Sequence, residues 1–267
     1  MIKDITIGQY FPGNSIIHRL DPRFKLVIAL AYIVMLFAGN TVVSIITGAV
    51  FCIVSFALSK IPFKLMAKSL KPILPILLFT SVLNLIFIDT GKTVFKFWIL
   101  KITYGGIETS IMMIIRITLL IMGTSLLTYT TSPIALTDAI ERLLSPLKKI
   151  KVPVHELAMM MTIALRFIPT LIEETDKIIS AQKARGADME NGNLVQKAKA
   201  MIPILIPLFI SAVRRAEELA TAMECRCYRG GEGRTRMRQL KASAHDFAAA
   251  GVTMIFFAAL IAVNIII

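Results

Sequence analysis

Five long apolar runs, separated by short polar breaks, organise the chain. Residues 24–38 are almost wholly apolar and end at Gly39-Asn40. Residues 41–58 carry no charge, residues 72–88 form a third run, and residues 107–129 are interrupted only by Glu108 and Arg116. A last uncharged run occupies residues 247–267. A bilayer core of about 30 Å needs roughly 20 apolar helical residues, so these runs predict about five transmembrane helices. Asp21-Pro22 predicts the first helix start, with an N-cap acid followed by proline in the first turn. Alternation across residues 93–104, within the polar break at 89–106, predicts a short hairpin. The stretch at 59–71, holding Lys60, Pro62, Lys64, Lys68 and Lys71, predicts a basic loop.

Residues 130–245 follow a different pattern. They hold 18 Lys/Arg and 12 Asp/Glu, nearly two-thirds of all the charge. Residues 133–147 predict a short amphipathic helix. Leu157, Met161, Ala164, Ile168, Leu171 and Ile178 then recur at helical spacing, with Glu156, Arg166, Glu173, Glu174 and Lys177 on other faces. This predicts a helix over 155–185, about 46 Å long at 1.5 Å per residue, capped by Gly186. After a loop at 191–193, a second long helix starts near Val195. Its expected apolar stripe is Leu205, Phe209, Ala212, Ala216, Leu219 and Met223, with Pro203 and Pro207 bending it and Gly230-Gly231 stopping it. Residues 157–172 and 200–213 approach the length of a span. Arg166 and Pro169 interrupt the first and two prolines the second, so both read as buried or interfacial helices. The expected division is a four-span membrane domain over 1–129, a cytoplasmic helical domain over 130–245 and a final span over 246–267.

Composition sharpens this picture. Of 267 residues, 56% are hydrophobic and 18% charged, whereas soluble domains are about 25% charged. That excludes disorder and speaks against an ordinary soluble enzyme. The net charge of +13 raises nucleic acid as a ligand, but in an apolar chain it points first to cytoplasmic loops and lipid headgroups. Lys3, Arg19, Arg23 and Lys25 precede the first span, and four lysines occupy 59–71. The 39–41 turn carries no charge, and the break at 89–106 carries Lys92, Lys96 and Lys101. Arg234, Arg236, Arg238 and Lys241 precede the last span. The more basic segments place the N-terminus in the cytoplasm and the C-terminus outside. The basic run 226–241 adjoins a span, which favours headgroups or a protein surface over nucleic acid.

Catalytic and metal chemistry find little support. The chain has no GxxxxGK[ST] phosphate loop, no HExxH, no GxSxG and no pair of acids within a span. Cys52 lies in an apolar run and reads as a small buried hydrophobe. Cys225 and Cys227 supply two of the four ligands that a zinc site usually needs, and His18, His155 and His245 are scattered in sequence. Arg116 stands within a span, either as an intramembrane functional group or as a residue facing neighbouring helices. The most informative feature is an echo. One long helix ends in Ala184-Arg185-Gly186 and the next in Cys225-Arg226-Cys227, with the arginines 41 residues apart. Two rigid helices, each with a guanidinium near its tip, suit docking into acidic grooves of a partner.

Three stretches carry a family resemblance: GQYFPGNSIIHRLDPRFKL at 8–26, LRFIP at 165–169 and Ala184-Arg185-Gly186. In this order they are similar to the transmembrane components, or T subunits, of energy-coupling factor (ECF) transporters. The resemblance covers nearly the whole chain. It implies an all-α polytopic membrane protein with two long crossed coupling helices in the cytoplasm. Each helix tip would insert into one of two ATP-binding cassette ATPases, with Arg185 and Arg226 as the docking residues. Only the arginine of the second motif matches the family pattern. Cys227 lacks the conformational freedom of glycine, so a left-handed cap is not expected there. The resemblance also implies a substrate-binding membrane S subunit, with the adaptable Met159, Met160 and Met161 as a possible contact surface. It implies no cofactor in this chain, ATP and Mg in the partner ATPases, and uptake of a vitamin or metal ion across a bacterial-type plasma membrane. Rival readings are a polytopic enzyme acting on lipids and a membrane scaffold without transport.

Overall fold

The computed structural model of the chain describes residues 10–39, 41–89, 93–97, 100–187, 193–231, 240 and 242–266. Lys3, Gly8, Gln9, Asn40, Lys92, the loop residues Asn191 and Gly192, and the basic run Arg234, Arg236, Arg238 and Lys241 lie outside the described residues. The elements in order are α1 (Ile16–Arg19), α2 (Pro22–Ala38), α3 (Val42–Ser59), α4 (Phe63–Leu70) and α5 (Leu74–Phe87). The hairpin strands β1 (Thr93–Phe97) and β2 (Leu100–Thr103) follow, then α6 (Tyr104–Thr130), α7 (Pro133–Leu144), α8 (Val154–Ala184), α9 (Leu194–Cys225) and α10 (Ala244–Ile266). Contacts divide the chain into two compact units, one formed by Gly8–Ala139 with Gln239–Ile267 and the other by Ile140–Arg238.

Among the described residues, six helical stretches are long and apolar enough to cross a membrane: Val42–Ser59, Phe63–Phe87, Tyr104–Thr130, Val154–Ala184, Val195–Cys225 and Ala244–Ala262. The fold is that of an all-α polytopic membrane protein with, among the described residues, one small hairpin. Several expectations meet the structure directly. Asp21 caps α2 by accepting from the Arg23 backbone N–H at 2.9 Å, with Pro22 in the first turn. The hairpin pairs antiparallel, Thr93 with Thr103 and Phe97 with Leu100.

Three expectations change. The stretch at 59–71 is not a loop. Lys60 takes a left-handed turn (φ 55°) and α4 begins at Phe63, joined through a 3-10 turn over Lys71–Ile73 to α5. Lys64 and Lys68 sit within the helix, so a run of lysines need not mark a break. Second, Arg166, Pro169, Pro203 and Pro207 do not break their helices, so α8 and α9 carry windows as apolar as a span. Third, α2, expected to span, is 17 residues long, about 25 Å at helical rise, and is not among those six stretches.

Within the first unit, α2, α3, α4 and α6 enclose a core of Tyr32, Leu36, Ile45, Cys52, Met66, Leu119 and Met122. Cys52 is 2% exposed, as expected of a buried hydrophobe. Gly48 lets α3 approach Leu36, since a Cβ there would lie 2.6 Å from the Leu36 side chain. Tyr32 stacks on Phe51, which meets Phe256 of α10 edge to face.

Polar groups fix the ends of these helices. Lys25 is buried, and its amine donates to the Thr130 carbonyl at 2.9 Å and the His18 carbonyl at 3.1 Å. It thereby satisfies a carbonyl at the C-terminus of α6, where a cation is favoured. Asp246, 1% exposed in the first turn of α10, accepts from the Asp21 backbone N–H at 2.7 Å. It also accepts from the Ser243 N–H at 2.6 Å and the Ser243 hydroxyl at 2.9 Å. Arg23 grips the Asp21 carboxylate at 2.7 Å and reaches the Leu240 carbonyl at 3.3 Å. Burial raises the Asp21 pKa, but hydrogen bonds from Arg23 and its positive charge outweigh that and hold the carboxyl below its ordinary value. His18 shares a short hydrogen bond with Ser15 and lies 3.0 Å from the Phe11 carbonyl, folding the chain ahead of α2. Thr103 caps α6 and donates to the Ile88 carbonyl at 2.6 Å, tying the hairpin's end to that of α5.

Candidate functional site

The second unit holds the two arginine tips. Helix α8 starts at Val154, where His155 lies 3.1 Å from a Glu141 carboxylate oxygen. Helix α9 starts in a capping box, the Asn193 side chain and Gln196 satisfying one another's backbone donors. The C-terminal ends are copies of each other. At the end of α8, the Gly186 N–H donates to Lys183 O and the Ala187 N–H to Gln182 O, both at 3.0 Å. At the end of α9, the Cys227 N–H donates to Glu224 O at 2.8 Å and the Tyr228 N–H to Met223 O at 3.0 Å. Both are Schellman turns. The left-handed residue is Gly186 (φ 87°) in one and Cys227 (φ 55°) in the other. The expectation that cysteine would not take this conformation is overturned, because the same pair of carbonyl-satisfying bonds compensates the strain. Helix α9 therefore ends at Cys225, before Gly230-Gly231.

Arg185 and Arg226 occupy the same position of the two turns, with similar backbone angles (φ −84°, ψ 4° and φ −90°, ψ 13°). Both are exposed, as are Ala184, Gly186 and the thiols Cys225 and Cys227. The turn thus presents each guanidinium outward from a rigid helix end.

The apolar faces differ from the expected stripes. Among the described side chains of α9 the covered positions are Ala200, Ile204, Leu208, Ser211, Ala212, Arg215, Leu219 and Met223, which include Ala212, Leu219 and Met223 of the expected stripe. Leu205 and Phe209, expected in the stripe, are 53% and 70% exposed. This helix is apolar on more than one side, so periodicity alone does not select the packed face. On α8, Leu157, Met161 and Ile168 are also exposed, together with Met160, while Met159 is half-buried.

In the other unit, Arg116 donates to the Gly39 carbonyl at 2.6 Å. Gly39 closes α2, so the guanidinium satisfies a helix-end carbonyl on the short helix. A cavity of about 320 Å³ lies among α2, α3, α6 and α10, with mostly apolar walls. Lys25 is the charged side chain on its wall, and its amine is already bonded to two carbonyls. That leaves little polar chemistry for gripping a hydrophilic solute.

The model of the cobalt transport protein family, CbiQ, matches residues 13–237. A Ruminiclostridium cellulolyticum protein is 57% identical over 256 residues, covering 96% of both chains. A Clostridium kluyveri protein is 60% identical over 251 residues, covering 93% of both. A Bacillus subtilis protein is 47% identical over 261 residues, covering 98% of both. All three are named energy-coupling factor transporter transmembrane protein EcfT. The chain belongs to this family. It is a multi-pass membrane protein, and its relatives are transporter membrane subunits.

The sequence pattern shows the arginine tips but not the polar network around Asp21, Arg23, Lys25 and Asp246. Arg23 and Lys25 were counted as orienting charge, whereas Lys25 is 6% exposed. The one available signal was the density of charge in the 8–26 block ahead of an apolar run.

Proposed function

We propose that the chain is the membrane coupling subunit of an ATP-driven ECF-type importer, passing motion from two ATP-binding cassette ATPases to a substrate-binding membrane subunit. The observation that carries this reading is the repeated Schellman turn, which presents Arg185 and Arg226 identically from two long helices. A guanidinium on a rigid tip makes bidentate bonds to carboxylates in a partner's groove. Two equivalent tips suit two equivalent motor subunits. The exposed Leu157, Met160, Met161, Leu205 and Phe209 offer an apolar surface for the substrate-binding subunit. ATP and Mg act in the ATPases, and this chain contributes no cofactor. The apolar cavity wall supports leaving selection of the vitamin or metal ion to the partner. The basic flanks support a cytoplasmic N-terminus in a bacterial-type plasma membrane.

Arg185→Ala combined with Arg226→Ala, in the complex reconstituted in liposomes, tests this. Loss of co-purifying ATPase and a fall in ATP-driven uptake of about 100-fold, from two lost charged contacts, are expected. ATPase binding and uptake both surviving the double change would refute it.

A further inference from the structure

The echo between α8 and α9 extends inward from the tips. Glu174 lies 11 residues before Arg185, and Arg215 lies 11 residues before Arg226. Eleven residues make just over three helical turns, so each inner residue shares a face with its own tip. These two inner residues meet. The Arg215 guanidinium donates to Glu174 Oε2 at 2.8 Å, and the Ser211 hydroxyl donates to Glu174 Oε1. Farther along α8, the Gln182 amide reaches the Pro203 carbonyl at 3.4 Å. Later α8 residues thus face earlier α9 residues, and the helices pass antiparallel. From the crossing, two arms of equal length, about 16 Å at helical rise, lead to the two arginines.

The crossing carries a charge pair, unlike the neutral Gln182–Pro203 contact farther along the seam. Among the covered positions of α9, Arg215 is the one charged residue, and Ser211 is the other polar one. Apolar contacts are non-directional and tolerate sliding, whereas a single polar contact in an apolar seam specifies register. The side chains of Arg215 and Glu174 retain 39% and 24% exposure, so the pair adds little stability. Its value lies in fixing where the helices cross.

We propose that Glu174, Ser211 and Arg215 form the fulcrum of a two-armed lever, as positioning residues that hold the crossing point so that displacement of one tip reaches the other. The proposal rests on the reading that Arg185 and Arg226 engage the ATPases. Its test uses Glu174→Gln, Arg215→Met and the exchange Glu174→Arg with Arg215→Glu, in the full complex in liposomes. Each single change is expected to keep the ATPases bound and hydrolysing while lowering uptake per ATP about tenfold, and the exchange is expected to recover most of that loss through pair coupling. A second measurement needs no partner. Spin labels at Ala184→Cys and native Cys225, in a chain carrying Cys52→Ala and Cys227→Gly, report the tip-to-tip distance. The distribution should broaden in the single variants and narrow in the exchange. Unchanged tip distances in the single variants, or an exchange no better than either single change, would overturn the fulcrum. ATPases that never join the unmodified complex would overturn the docking reading instead, with the label distances still judging the fulcrum.

Discussion

The two compact units place their most telling charged groups differently. In the unit of Gly8–Ala139 and Gln239–Ile267, Asp21, Lys25 and Asp246 are buried and committed to backbone partners. In the unit of Ile140–Arg238, Arg185 and Arg226 are exposed at helix ends that need no side chain to close them. An apolar bundle gains its cohesion from non-directional packing, so a few buried polar contacts must set which helix ends meet. A unit that works by touching partners needs the reverse: helix ends finished by backbone geometry, leaving the charges unspent. Charge density along the chain therefore marks two unrelated tasks.

The sharpest way to break the comparison is Asp246→Ala. It removes three hydrogen-bond acceptances and leaves the buried Asp21 N–H without its partner. The expected cost is about 3 kcal/mol, from an orphaned donor plus lost charged hydrogen bonds. Thermal unfolding of the purified protein in detergent checks it. Asp246→Asn, which keeps the acceptor oxygen, should recover part of the loss. An Asp246→Ala protein as stable as the parent would mean that the buried network does not organise this unit.

A middle-sized effect should appear at the tips, with opposite signs at the two ends. Gly186 sits at φ 87° without strain, and Cys227 at φ 55° with it. Gly186→Ala should destabilise the end of α8 by about 1 kcal/mol, and Cys227→Gly should stabilise the end of α9 by a similar amount. Hydrogen exchange of the last-turn amides reads each end separately. Equal responses of one sign would show that the two turns are not energetic copies, whatever their bonds.

Much of this was legible in the sequence, for physical reasons that also mark where legibility stopped. The Asp21-Pro22 start, the hairpin and the Gly186 cap are local, each decided by residues within a turn of one another. The Cys227 cap is not legible, because intrinsic preference favours glycine there while the closing bonds to Glu224 and Met223 hold cysteine in the same conformation. The packed face of α9 is legible in its second half, at Ala212, Leu219 and Met223, and not in its first, where Leu205 and Phe209 repeat at the same period as Ile204 and Leu208. The partners of Lys25 and Asp246 lie 105 and 225 residues away in sequence, a separation at which no local pattern reports contact. The arginine tips were legible because they occur twice.

Acid gives the smallest and most selective test, because it addresses one unit through one group. The Asp21 carboxyl is held below its ordinary value of 3.8 in the folded protein. A carboxyl whose pKa is lower folded than unfolded binds fewer protons folded, so its contribution is fully present above the unfolded value. That contribution drains away as pH falls from there through the still lower folded value. Neutral and mildly acidic conditions should leave the unit unaffected, and the loss should begin only below about pH 4. Asp21→Asn should lower stability at neutral pH, because Arg23 loses its anionic partner, and should flatten the acid slope. Unfolding temperatures of parent and Asp21→Asn across that range decide it. Parallel curves would mean that the Arg23 contact does not set the protonation of Asp21, and that the charge buried in this unit is held by geometry alone.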